Sequence, residues 1–188
     1  MTPFSPSIAV PLARGARLPD LESSVDRSFP DMNLFCAVRV RGRFSAIRVR
    51  SVLPQRKPYP PLAAAAANQV IFAREGVAGT LVGFRSPRYA AGVAVPGYHL
   101  HFLSDDRTFG GHLLDFTIES GTAELDPCTR LVLVLPGPGG AFGTMDLGGD
   151  GGKELEKAER APGDARPAGG PAAAGAPASV ASRRTAAG

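Results

Sequence analysis

The stretch Pro96-Gly97-Tyr98-His99-Leu100-His101-Phe102-Leu103-Ser104-Asp105-Asp106-Arg107-Thr108-Phe109-Gly110-Gly111-His112-Leu113-Leu114-Asp115-Phe116-Thr117-Ile118 decides the fold, and it holds every histidine of the chain. His99 and His101 are one residue apart, so on a β-strand both project to one face while Tyr98, Leu100 and Phe102 project to the other. Asp105-Asp106 and Gly110-Gly111 are turn formers, and the run from His112 to Ile118 alternates like a returning strand, so the segment reads as a hairpin. With Leu103 facing Gly110, His101 faces His112 and His99 faces Leu114, which gathers three imidazoles on one side of a sheet. Three histidines with no fourth protein ligand in the hairpin describe the open coordination of catalytic zinc rather than the closed set of structural zinc. Neutral imidazole suits iron, copper or nickel as well.

Around this hairpin the composition sets limits. The 188 residues, 44% hydrophobic, suffice for one domain with a real core and not for two large ones. The net charge is +4, but the arginines are scattered through alternating runs and the tail instead of forming a stripe interleaved with aromatics, which argues against a nucleic-acid partner. Cys36 and Cys128 form neither a C-x-x-C pair nor a disulfide framework and read as buried thiols of a reducing compartment. No apolar run approaches the roughly 18 residues of a membrane span, and the N-terminus has no leader pattern. A cytoplasmic protein with no membrane partner is expected.

Working outward, Ile8-Ala9-Val10-Pro11-Leu12 is a short apolar run. Asp20 to Phe29 is helix-like, with Leu18, Leu21, Val25 and Phe29 at spacings of three or four and Pro30 as a stop. Residues 34–41 and 43–50 alternate apolar with basic residues on either side of Gly42, which predicts an antiparallel hairpin with solvated arginines. The proline-punctuated Pro54 to Pro61 hands over to Leu62 and five alanines, predicting a helix over Leu62 to Phe72 with Gly76 and Gly79 at its exit. Thr80 to Arg85, Gly92 to Val95, Thr122 to Leu125 and Leu131 to Leu135 are expected strands, the last apolar on both faces and so central. Lys153 to Arg160 is a short helix candidate with a Glu156–Arg160 pair. Residues 161–188 are almost wholly Ala, Gly, Pro, Ser and Arg and are expected to be a disordered tail behind a domain spanning 1–160.

Several of these runs together resemble the alpha-acetolactate decarboxylase family. The resemblance rests on Asn33-Leu34-Phe35-Cys36-Ala37-Val38-Arg39-Val40, Lys57-Pro58-Tyr59-Pro60-Pro61-Leu62, Glu75-Gly76-Val77-Ala78-Gly79-Thr80-Leu81-Val82-Gly83-Phe84-Arg85-Ser86-Pro87 and the stretch from Pro96 to Arg107 with Gly110-Gly111-His112, in unbroken order between Thr2 and Glu159. It implies an α/β fold of the α+β kind: a mixed and antiparallel β-sheet or barrel-like C-terminal domain with few helices, carrying a three-histidine zinc site. It also implies that His99, His101 and His112 bind zinc, that Arg85 contacts substrate, and that Glu159, or Glu156 if the register shifts, returns to the site as a proton donor. The start at Thr2-Pro3-Phe4 resembles a mid-protein strand start, so the family's N-terminal segment, with its strands and a second glutamate, is expected to be missing.

The activity implied is zinc-dependent conversion of 2-acetolactate (2-hydroxy-2-methyl-3-oxobutanoate) to (R)-acetoin and carbon dioxide through a metal-chelated enediolate, on the route to acetoin and 2,3-butanediol, in a homodimer. Two other readings stand beside it. One is a truncated copy that binds zinc without turnover. The other is a cupin-like metalloenzyme, which also places H-x-H on a strand but normally adds a glutamate where this chain has Ser104-Asp105-Asp106.

Overall fold

The computed structural model describes residues 3–60, 62–66 and 68–145. The helix candidate at 153–160, with Glu156 and Glu159, and the tail at 161–188 lie outside the described residues. Five strands, β1 (Ile8–Leu12), β2 (Phe35–Ser51), β3 (Val70–Ser86), β4 (Gly97–Ser104) and β5 (Gly110–Cys128), accompany two helices, α1 (Leu18–Ser28) and α2 (Leu62–Ala66). All the ladders are antiparallel, in the order β1-β5-β2-β3-β4, and β4 returns to pair with the start of β5. The second pairing closes β5, β2, β3 and β4 into a barrel-like sheet, in keeping with the barrel-like, helix-poor architecture that the resemblance implies.

Inside this curl lies the core. Phe44 meets Phe102 and Phe116 edge-on at centroid distances of 5.3 and 5.6 Å, and Val38, Val40, Ile47, Val49, Leu81, Leu100, Ile118 and Leu125 fill in around them. Helix α1 seats Leu21 and Val25, both fully buried, against this core. Its face is the one predicted by the spacing of Leu18, Leu21, Val25 and Phe29, and Asp20 accepts a hydrogen bond from the Arg17 amide at its first turn. Truncating Phe44 to alanine removes the hub of both aromatic pairs, and the expected loss is about 3–5 kcal/mol of unfolding free energy, measured by urea titration.

Several expectations about the elements are corrected. Gly42 is no hairpin turn: it lies inside the unbroken 17-residue β2, opposite Gly79 on β3 and Gly121 on β5. A Cβ there would strike the Ser120 carbonyl, so this glycine serves close backbone approach where the sheet bends, a role that its sequence context shares with a turn. The predicted helix ends at Ala66, and Val70-Ile71-Phe72 instead pair with Arg50 and its neighbours as the start of β3. Ladder hydrogen bonds and β-branched residues outweigh alanine's helix propensity there. Gly92 adopts φ +91° in a turn after a short 3-10 segment at Arg88–Ala90, so Gly92 to Val95 is not a strand. The segment from Leu131 to Leu135 makes no ladder among the described residues and is 58–85% exposed, so it is not central. Apolar composition shows that such a segment favours cover; it does not say which layer provides it. Thr122 to Leu125 belongs to the same strand as His112 to Ile118, since β5 runs unbroken to Cys128.

Candidate metal centre

The register deduced for the histidine hairpin is the one observed: Leu103 pairs with Gly110, Phe102 with Gly111 and His101 with His112. The β4–β5 ladder stops there, so the backbone of His99 is carried by β3, opposite Phe84, while its ring still meets that of His112 on β5. Leu100 and Phe102 point into the core, and His99, His101 and His112 occupy the other face. Their ring centroids are 4.9, 5.0 and 5.3 Å apart. The loop between the strands is fastened by Asp106, which accepts hydrogen bonds from the Ser104 hydroxyl and from the amide and hydroxyl of Thr108. These bonds hold its carboxyl down at about 2.

One ligand atom from each histidine lies within 4.8 Å of the others, and Nε2 of His99 is 2.9 Å from Nε2 of His101. Zinc–imidazole bonds of about 2.0–2.1 Å place tetrahedral donors roughly 3.4 Å apart, so small ring rotations bring the three onto one ion. The donors are all neutral nitrogens, and His101 is exposed on the open side, which leaves access for a further ligand. The residues fit a metal ion bound by three histidines.

The structure does not bring Arg85 to the histidines. Arg85 pairs with Tyr98, whose side chain projects to the core side, and it is 2% exposed. Its guanidinium donates to Asp26 at 3.0 Å and to the carbonyls of Phe29 and Asp31 at 2.7 and 3.0 Å, and it sits over the Phe29 ring. On the histidine face the arginine is Arg50, directly across the β2–β5 ladder from His112. Such cross-strand partners have Cβ atoms about 4.5–5.5 Å apart on one face. Arg50 is 4% exposed and donates to the Gln69 side chain at 2.6 Å. The expectation that the β2 arginines are all solvated therefore fails at Arg50, and also at Arg39, which is held by Glu124 at 2.7 Å. Alternation alone gave Arg50 no mark distinguishing it from Arg41, Arg43 or Arg48. Nearby, Phe84 and Val82 share the histidine face opposite His99 and His101 and are 39% and 52% exposed, giving the site an apolar flank.

Cys36 is buried, which pushes its thiol up to about 11, and Cys128 is half-buried; both are free. Among the described residues no helix is long and apolar enough to cross a membrane.

An antiparallel, barrel-like sheet presenting three convergent imidazoles on an open face defines a candidate metalloprotein of the three-histidine kind. The sequence profile of alpha-acetolactate decarboxylase matches residues 1–149, and the chain belongs to that family. An alpha-acetolactate decarboxylase of Methanosarcina mazei is 47% identical over 149 residues, covering 79% of this chain and 51% of the relative. The enzyme of that name from Bacillus subtilis is 36% identical over 85% of this chain and 62% of its own. The crystal structure of alpha-acetolactate decarboxylase from Bacillus subtilis superimposes with a TM-score of 0.79, covering 84% of this chain and 68% of that one. A Staphylococcus aureus protein described as similar to alpha-acetolactate decarboxylase gives 0.78 at 30% identity, with 84% and 68% covered. The chain thus spans between half and about three fifths of the length of these curated relatives.

Proposed function

We propose that the protein decarboxylates 2-acetolactate to (R)-acetoin and carbon dioxide, with zinc as its metal. The observation that carries the reading is the convergence of His99, His101 and His112 on one open face of a chain of the alpha-acetolactate decarboxylase family. Zinc, when bound, supplies a Lewis acid for the ketone and hydroxyl oxygens of the substrate. The histidines hold that ion with neutral donors, so its double positive charge is undiminished. Arg50, buried beside His112, offers a guanidinium fork for the carboxylate or for an oxygen that becomes anionic as carbon dioxide leaves. Its low exposure makes that interaction stronger than it would be in water, and Gln69 orients the guanidinium. Phe84 and Val82 flank the substrate's methyl groups and limit water. The substrate contact implied for Arg85 passes in this reading to Arg50, and Arg85 acts from behind the sheet. Proton delivery to one face of the product is assigned to Glu159, with Glu156 as the alternative. A small-molecule substrate and a homodimer complete the reading.

The test is acetoin formation from acetolactate by the purified protein, with chiral analysis of the product. A chelator is expected to abolish turnover and added zinc to restore it. Arg50→Ala is expected to lower kcat/KM by about 10²–10³ while metal content stays at one equivalent. A second reading is a metal-binding protein without turnover, and one equivalent of zinc with no acetoin would select it.

A further inference from the structure

The strand that carries two of the histidines is unevenly supported. Among the described residues β4 pairs with β5 only over His101, Phe102 and Leu103, so from Leu100 back to Gly97 its ladder there is with β3 alone. His99 falls on that one-sided stretch, yet its ring must stay within reach of His101 and His112 for three nitrogens to meet one ion. The missing support is found on the other face. Tyr98, the residue before His99, projects toward α1, where its hydroxyl donates to Oδ1 of Asp26 at 2.6 Å and lies 3.1 Å from the Glu22 carbonyl. The same Asp26 oxygen accepts from Nη1 of Arg85, the cross-strand partner of Tyr98 on β3. Arg85 is in turn fixed by the carbonyls of Phe29 and Asp31 just past the end of the helix. Helix, β3 and β4 therefore meet in one charged, hydrogen-bonded node behind the first histidine.

We propose that Tyr98 and Asp26 are positioning residues for the metal site: their hydrogen bond, locked by Arg85, holds the β4 backbone at His99 from the helix side. The inference rests on the reading of the three histidines as metal ligands. It gives α1 a part in metal affinity although no helix residue reaches the ion.

Tyr98→Phe keeps the packed ring and deletes only the hydroxyl. Zinc affinity, measured by competition with a chromophoric chelator, is expected to fall about tenfold, the size of effect found when a group supporting a ligand is removed. The visible bands of the cobalt-substituted protein are expected to shift, while the melting temperature of the metal-free protein falls by only about 3 °C. Asp26→Asn, which retains an acceptor, is expected to lose less affinity than Asp26→Ala, and it serves as the second variant if Tyr98→Phe does not fold. Val10→Ala, an equally mild change on β1, is the control and is expected to leave affinity and cobalt bands as in the native protein. Native-like zinc affinity and cobalt bands in Tyr98→Phe, or an equal affinity loss in Val10→Ala, overturn the inference alone. A native protein that binds no zinc overturns it together with the metal reading.

Discussion

His101→Ala is expected to lower zinc affinity more than about a hundredfold, beyond the range reached by changes to groups that only support ligands. In the proposed site each histidine supplies one of three protein donors, and the described residues place no other histidine, cysteine or carboxylate in the cluster to replace it. His101 is exposed and pairs with His112 across the ladder, so its truncation leaves no cavity in the core. The metal-free melting temperature should therefore stay near native, while the rise on adding zinc disappears. At a thousandfold excess of metal over its dissociation constant that rise corresponds to about 4 kcal/mol. Calorimetry with and without zinc, alongside metal analysis, reads both quantities. One equivalent of tightly bound zinc in His101→Ala would remove the triad as the metal site and with it the proposed reaction.

Gly83→Ala carries the second large effect, this time on the fold. A Cβ at Gly83 would be driven into the carbonyl of His99 and lie 2.9 Å from the Cα of Leu100. Both obstacles are backbone, so no side-chain rotation can relieve them, and β3 and β4 must separate along the stretch where β4 has no other ladder among the described residues. The expected cost is about 3 kcal/mol, at the upper end for overpacking, seen as a lower urea midpoint. Zinc affinity falls in the same variant because the displaced atoms belong to His99. Gly137→Ala, where nothing lies within 4 Å, is expected to stay within about 0.5 kcal/mol of the native protein. A Gly83→Ala protein as stable as Gly137→Ala would mean that the two strands are not in close contact at His99.

Both effects trace to the period of a β-strand. Alternation with a period of two forces His99 and His101 to one face, and the turn residues between Ser104 and Gly110 then leave few registers, so the pairing of His101 with His112 is legible in the sequence. The α1 stripe was legible for a similar reason, because only one helical face of Leu18 to Phe29 is apolar. Glycine and alanine carry no such pattern. Gly42 reads as a turn and turns out to be a point of backbone contact, and the alanines after Leu62 read as a long helix although the chain turns to strand pairing at Val70. Neighbours distant in the chain made those choices, through close approach and ladder hydrogen bonds that leave no trace in the local sequence.

By itself the sequence determined the histidine hairpin, its register, the donors available to a metal and the family to which the chain is similar. Tertiary structure alone decided which arginine stands beside those donors. Arg50 and Arg85 are the same residue type, and both follow apolar residues on strands. Pairing across β2 and β5 sets Arg50 next to His112, whereas pairing across β3 and β4 turns Arg85 to the helix side, into the company of Asp26 and Tyr98. The face to which a strand residue points depends on where its neighbours fix the register, and that is a property of the assembled sheet.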